Sequence, residues 1–190
     1  MTVDLYQNPL RFGAAYDELS ADGVTPRPHW KHLMESLRAM GPEELERRWG
    51  RAERRIRELA VAAYPNEGCG VLLGRRDGTR MLIVDATSAR NMWTERSADR
   101  YDLDPVDFMK ADRDGRTRGL DVAGIWHSHP DHPAQPSQFD TDRAWLDYVY
   151  IICRTIAAGA EDLNAFALEE EGAPFAQITM DISPVPGGGK

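Results

Sequence analysis

The chain has 190 residues, 42% hydrophobic and 28% charged, with a formal net charge of −8 at pH 7. That is enough for one domain with a real core, and the acidic balance speaks against binding nucleic acid or an anionic membrane, both of which need a basic face. No apolar run approaches the ~20 residues that span a bilayer, and the opening MTVDLYQNPLRFG lacks a signal-peptide pattern, so a cytoplasmic protein is expected.

Residues 1–41 read as an N-terminal extension, partly helical. Pro9, Gly13, Gly23, Pro26 and Pro28 punctuate it, and little regular structure is expected before Pro28. From residue 29 to 40, Trp30, Leu33, Met34, Leu37 and Met40 recur at helical spacing, until Gly41-Pro42 breaks the pattern. A longer helix is expected over 42–63, with Ala52, Ile56, Leu59 and Ala60 on one face and pairs such as Glu53 and Arg57 on the solvated face. Residues 69–73 and 81–86 read as a hairpin. A polar loop follows over 87–100, then a short strand at 101–103 and a helix opened by Pro105 and running to about Gly115. Residues 120–126 and 148–153 read as buried strands, with a helix from Ser137 to about Asp147 between them. Strands at 163–168 and 175–182 close the domain, which is placed at 42–183; the Pro- and Gly-rich residues 184–190 are expected to be a flexible tail. This order predicts an α+β sandwich, a mixed sheet flanked by helices. Cys69 and Cys153 fall in apolar runs and read as buried small hydrophobes without a disulfide.

The chemistry concentrates in residues 127–140, HSHPDHPAQPSQFD. On an extended backbone alternate residues point the same way, so His127 and His129 can aim both imidazoles at one point just past the end of a strand. Asp140 is available as a third ligand. A His, His, Asp set leaves one tetrahedral position open, the mark of a catalytic zinc. Ser137 lies one helical turn before Asp140, placed to hydrogen-bond a developing oxyanion. No glutamate lies in the segment, and Glu67 is the best candidate for a general base. It precedes a short apolar strand in the run PNEGCG, whose small residues allow a backbone or a substrate to approach closely.

Together, Glu67, His127, His129, Pro130, Ser137 and Asp140 resemble the motif of the JAMM metalloproteases, the catalytically competent MPN+ domains. The similarity covers about residues 57–182 and is to the small bacterial and archaeal type, through Pro65 to Gly70, Arg100-Tyr101 before Pro105, and Gly124 to Pro130. The resemblance implies a cytidine-deaminase-like fold and one Zn2+ held by His127, His129 and Asp140. It implies Glu67 as general base and then acid, and Ser137 as oxyanion stabiliser. It also implies hydrolysis of a peptide or isopeptide bond at the C-terminus of a ubiquitin-like or sulfur-carrier protein. The alternative is a JAMM-type module that binds such a tail within an assembly without cleaving it. A nucleobase deaminase would share the sheet but needs a cysteine pair among its ligands.

Other residues carry plainer expectations. His132 reads as an exposed loop histidine and Trp126 as strand core. The loop 91–99, with Trp93, reads as a connection that can border the substrate. Residues 22–49 resemble the leader of circularly permuted ATP-grasp proteins, without any catalytic motif, and the extension is a candidate for docking a partner.

Overall fold

The computed structural model describes residues 2–4 and 42–181. Helix α1 is Pro42–Ala63, and its periodic face puts Ala52, Ile56 and Ala60 out of solvent completely. On the other face Arg57 pairs with Glu53 at 2.9 Å, one turn away. The sheet contains β1 (Thr2–Asp4), β2 (Cys69–Asp77), β3 (Arg80–Ala86), β4 (Asp121–Pro130), β5 (Val149–Ile156), β6 (Gly159–Ala167), β7 (Ala176–Ile178) and β8 (Met180–Asp181). Helices α2 (Pro105–Thr117) and α3 (Gln138–Asp142) complete the described elements. The strand order is β7-β6-β5-β4-β2-β3-β1-β8, and among the described strands only β4 and β5 run parallel. The fold is thus the expected α+β arrangement with a mixed sheet.

Alternation along β2 and β4 sorts the two faces. Leu72 and Trp126 pack with α1, together with Ile83, Ile151, Cys153 and Ala165. Val71 and Leu73 point the other way and pack against Ala111 of α2. Ile125, one step from Trp126, joins Tyr150, Ile152 and Phe166 on that second face. Burying both faces accounts for the nearly unbroken apolar runs of β4 and β5. Strands β7 and β8 are separated by one residue yet sit at opposite edges of the order. The sheet therefore curls around α1 until its two edges approach.

Several elements differ from their sequence expectation. Thr2–Asp4 is a strand, pairing with both β3 and β8, where little regular structure was expected. Its partners are more than 70 residues away in sequence, and no local pattern signals such pairing. The helix expected at 29–40 lies outside the described residues, as do residues 182–190. Strand β2 continues through Gly74, where the register shifts, so that glycine accommodates an irregularity rather than ending the strand. At 101–103 there is no strand, only a single bridge from Leu103 to Asn91. The helix after Ser137 stops at Asp142, because the Trp145 amide donates to the Tyr150 hydroxyl at 2.7 Å instead of to a helical carbonyl. Asp147 then takes φ 66° and turns the chain into β5. The single strand expected over 175–182 is two short ones.

Candidate metal centre

His127 and His129 lie within β4, not beyond its end. His127 is paired with Cys69 on one side and Ile152 on the other, and His129 with Arg154 of β5, so the ladder fixes both histidine backbones, that of His127 from both sides. Asp140 comes from the first turn of α3, whose N-cap is Ser137. The structure brings the three side chains together: the two Nε2 atoms are 3.0 Å apart. Asp140 Oδ1 lies 3.5 Å from His127 Nε2, and Oδ2 lies 3.8 Å from His129 Nε2. Ligands about 2.0–2.1 Å from a tetrahedral ion are separated by roughly 3.3 Å, so this donor set fits a metal with small adjustments. The fit extends outward. His129 Nδ1 lies 2.9 Å from the Pro133 carbonyl, which places its proton on Nδ1 and leaves Nε2 free to ligate.

Charge in the site follows from burial. His129 is pushed down to about 4, chiefly by burial and then by His127, so its ring is neutral, as a ligand must be. Burial alone would raise the Asp140 carboxyl. Hydrogen bonding to His127 and Ser137 outweighs it and holds Asp140 well below the usual carboxylate range. Ser137 supplies two of those bonds to Oδ2, from its amide at 2.7 Å and its hydroxyl at 2.6 Å. The Ser137 hydroxyl, expected to face an oxyanion, thus orients the Asp140 carboxylate in this state.

Glu67 approaches from the start of β2, its Oε1 3.9 Å from His129 Nε2. It is only 6% exposed. Burial raises its pKa to about 7, with His127 opposing and Asp140 adding to the shift. A base poised near neutrality can both take and return a proton. Its backbone is tied down: the Glu67 amide donates to the Ser97 carbonyl at 2.6 Å. The next residue, Gly68, makes two bonds with Ser128: its amide donates to the hydroxyl at 2.8 Å and its carbonyl accepts from the Ser128 amide at 2.9 Å. The small residues after Glu67 admit protein, not substrate. A Cβ on Gly70 would lie 1.7 Å from the Thr87 carbonyl oxygen and 2.5 Å from Trp126 Nε1.

The neighbouring residues sort clearly. Trp126 is buried on the α1 face, its Nε1 donating to the Thr87 carbonyl at 2.8 Å. His132 is exposed and stands outside the ligand group. Cys69 pairs with His127 and Cys153 with Ser128, so the two thiols occupy opposite faces and cannot form a ligand pair. Both are free and buried. Loop 91–99 borders the site, since Ser97 holds Glu67 and the Trp93 ring meets the edge of Phe139 at 6.3 Å. Phe139 precedes Asp140, and the Arg100 and Arg143 guanidiniums lie over its ring at 4.4 and 4.5 Å from the centroid. A groove of about 400 Å³, lined by Tyr101, Leu103, Phe108, Ile125 and Phe139, opens beside Asp140.

Sequence reasoning missed two contributors. Ser128 sits between the two histidines and points to the opposite face, where it holds the peptide after Glu67. Tyr101 stacks its ring on His127 at 4.4 Å and 25°. Alternation along the strand was a signal for the first. The second was marked by the Arg100-Tyr101 pair of the resemblance, but nothing in the sequence gave that tyrosine a role.

Residues 51–169 match the family described as prokaryotic homologs of the JAB domain. The chain belongs to that family. It is 37% identical over 127 residues to a desampylase of Haloferax volcanii, covering 66% of this chain and 85% of that protein. It is 31% identical over 106 residues to a probable TtuB-protein conjugate cleaving protease of Thermus thermophilus, covering 56% of this chain and 64% of the other. Among solved structures, a Salinibacter ruber protein aligns with TM-score 0.55 at 33% identity, over 73% of this chain and 90% of its own. A Desulfitobacterium hafniense protein aligns with TM-score 0.55 at 28% identity, over 66% and 87%. The JAB match begins at residue 51, and nothing in these comparisons supports the ATP-grasp resemblance of the N-terminal segment.

Proposed function

We propose that this JAB-family protein is a zinc-dependent peptidase or isopeptidase that cleaves at the C-terminus of a ubiquitin-like or sulfur-carrier protein. The observation that carries the reading is the convergence of His127, His129 and Asp140, with the Glu67 carboxylate 3.9 Å from a ligand nitrogen. The relatives named as a desampylase and a conjugate-cleaving protease support the substrate class. In this proposal His127 Nε2, His129 Nε2 and a carboxylate oxygen of Asp140 would hold the zinc. A zinc ion supplies Lewis acidity, lowering the pKa of a water toward ~7 and polarising the scissile carbonyl.

The protein's own residues do the rest. Glu67 takes a proton from the attacking water as its oxygen bonds to the carbonyl carbon. It delivers that proton to the amine nitrogen as the C–N bond breaks, leaving a carboxylic acid and an amine, between which the second water proton passes to give carboxylate and ammonium. Ser137 steadies the tetrahedral oxyanion, a role that exchanges its resting bond to Asp140. The apolar groove beside Asp140 receives the substrate chain next to the scissile bond.

The reading is tested by elemental analysis and by cleavage of a carrier protein fused through Gly-Gly. About one zinc per chain, lost in His129→Ala together with cleavage, is the expected result. A second reading, a tail-binding module without turnover, draws on the deep burial of the four residues, none more than 8% exposed. It predicts tail binding with no cleavage by the zinc-loaded wild type. We also propose a cytoplasmic setting, supported by two free buried cysteines. Partner docking through residues 1–41 is a separate proposal. Deleting those residues without change in stability, binding or activity would remove it.

A further inference from the structure

The Asn91 side chain uses its full hydrogen-bonding capacity at the rim of the site. Its Nδ2 donates to the Arg100 carbonyl at 2.8 Å and to the Glu67 carbonyl at 3.3 Å. Its Oδ1 accepts from the Trp93 amide at 3.0 Å and the Asp102 amide at 3.1 Å. A carboxamide has two donors and two acceptor sites, and all four are engaged. The backbone anchors the same point, because Asn91 bridges to Leu103 and the Met92 amide donates to the Asp102 carbonyl at 2.8 Å.

The four partners are not scattered. Arg100 and Asp102 flank Tyr101, so Asn91 holds the peptide on each side of the residue whose ring stacks on His127. His127 Nδ1 is buried with no hydrogen-bond partner among the described residues. Its ring, unlike that of His129, has no outer hydrogen bond to fix it, and the face of Tyr101 takes over that task. The remaining donor bond reaches the carbonyl of Glu67 itself.

We propose that Asn91 is a positioning residue that sets Glu67 and, through Tyr101, His127 in register with each other. It touches neither substrate nor metal. The assignment rests on the roles given above to Glu67 and His127. It also accounts for the residue type. Aspartate would keep the two acceptor bonds but turn an oxygen toward two carbonyls, and alanine would remove all four bonds.

The test uses Asn91→Ala, Asn91→Asp and Tyr101→Leu in the full chain. Zinc affinity of the metal-depleted proteins is read by chelator competition, the Co2+ derivatives by their visible spectra, and kcat and KM at saturating zinc. Loss of an outer partner of a ligand typically costs 10–100-fold in metal affinity. A loss of about that size is expected in both Asn91 variants and in Tyr101→Leu, with an altered cobalt spectrum and a fall in kcat at little-changed KM. Asn91→Ala combined with Tyr101→Leu should lose no more zinc affinity than Tyr101→Leu alone. An Asn91→Ala protein that is merely easier to unfold, with wild-type zinc affinity and spectrum, overturns the proposal. So does Asn91→Asp with wild-type zinc affinity, which would make the residue a loop staple only. If Asn91→Ala does not fold, wild-type zinc affinity in Tyr101→Leu still overturns it. A wild type that binds zinc but cleaves nothing refutes the hydrolase reading, while the affinities still decide the role of Asn91.

Discussion

Replacing Ser128 with alanine probes the link between the strand that carries the histidines and the residue that follows Glu67. Ser128 has no solvent exposure, and its hydroxyl accepts from the Gly68 amide at 2.8 Å. Removing that oxygen leaves a buried N–H that no water can reach. Such a stranded donor costs about 1–3 kcal/mol. The other strand bond, from the Ser128 amide to the Gly68 carbonyl, is untouched, so the ladder itself survives. For a domain of this size the loss corresponds to a drop in Tm of roughly 3–10 °C. Urea unfolding of metal-free wild type and Ser128→Ala, with Ser88→Ala on the surface as control, measures it. The midpoint should fall while the slope against urea stays constant. A Ser128→Ala protein within about 0.5 kcal/mol of wild type, as expected for the control, would refute the claim that this hydroxyl holds the Glu67 segment.

Other outcomes follow from the same geometry. Ser137→Ala should lower kcat by about 10²–10³-fold with zinc still bound, the cost of losing one oxyanion donor; loss of zinc instead would mean that the hydroxyl acts only through Asp140. In EDTA-treated protein, Glu67 titrates near 7 when folded and near 4.5 when unfolded. Its contribution is therefore most favourable below about pH 4.5 and is lost as pH rises through 7, on the order of 3 kcal/mol in all. His129, lowered to about 4, works the other way, its contribution complete above about pH 6.5 and lost as pH falls through 4. Metal-free Glu67→Gln should thus gain stability relative to wild type between pH 5 and 8, and equal unfolding midpoints at both values would contradict the burial of that carboxyl. Gly70→Ala drives a methyl into the Thr87 carbonyl and the Trp126 indole and should destabilise by more than about 3 kcal/mol, read as loss of soluble protein or of a thermal transition.

Much of the fold was legible because periodicity and turn chemistry are local. The α1 face of Ala52, Ile56 and Ala60, the Pro105 start of α2 and the buried runs of β4 and β5 all follow from patterns within a dozen residues. The motif residues were legible for a similar reason, since His127, His129, Ser137 and Asp140 lie in one segment. What the sequence hid was the pairing of distant pieces. Thr2–Asp4 joins the sheet between β3, more than 70 residues on, and β8 at the far end of the described chain, and α3 is cut short by the Tyr150 hydroxyl. Within the site, Tyr101 stacks on His127 from a loop that Asn91 pins at the Arg100 carbonyl and the Asp102 amide, 9 and 11 residues on in sequence. The resting bond between Ser137 and Asp140 is likewise a matter of rotamer and distance, which spacing does not encode.

The most direct test of the central claim is cleavage of a Gly-Gly-linked carrier fusion by wild type and Glu67→Gln at matched zinc content. The account predicts cleavage by the wild type and its loss in Glu67→Gln, with about one zinc retained by both. Cleavage by Glu67→Gln at the wild-type rate would contradict it, because the carboxylate beside His129 would then not be the base.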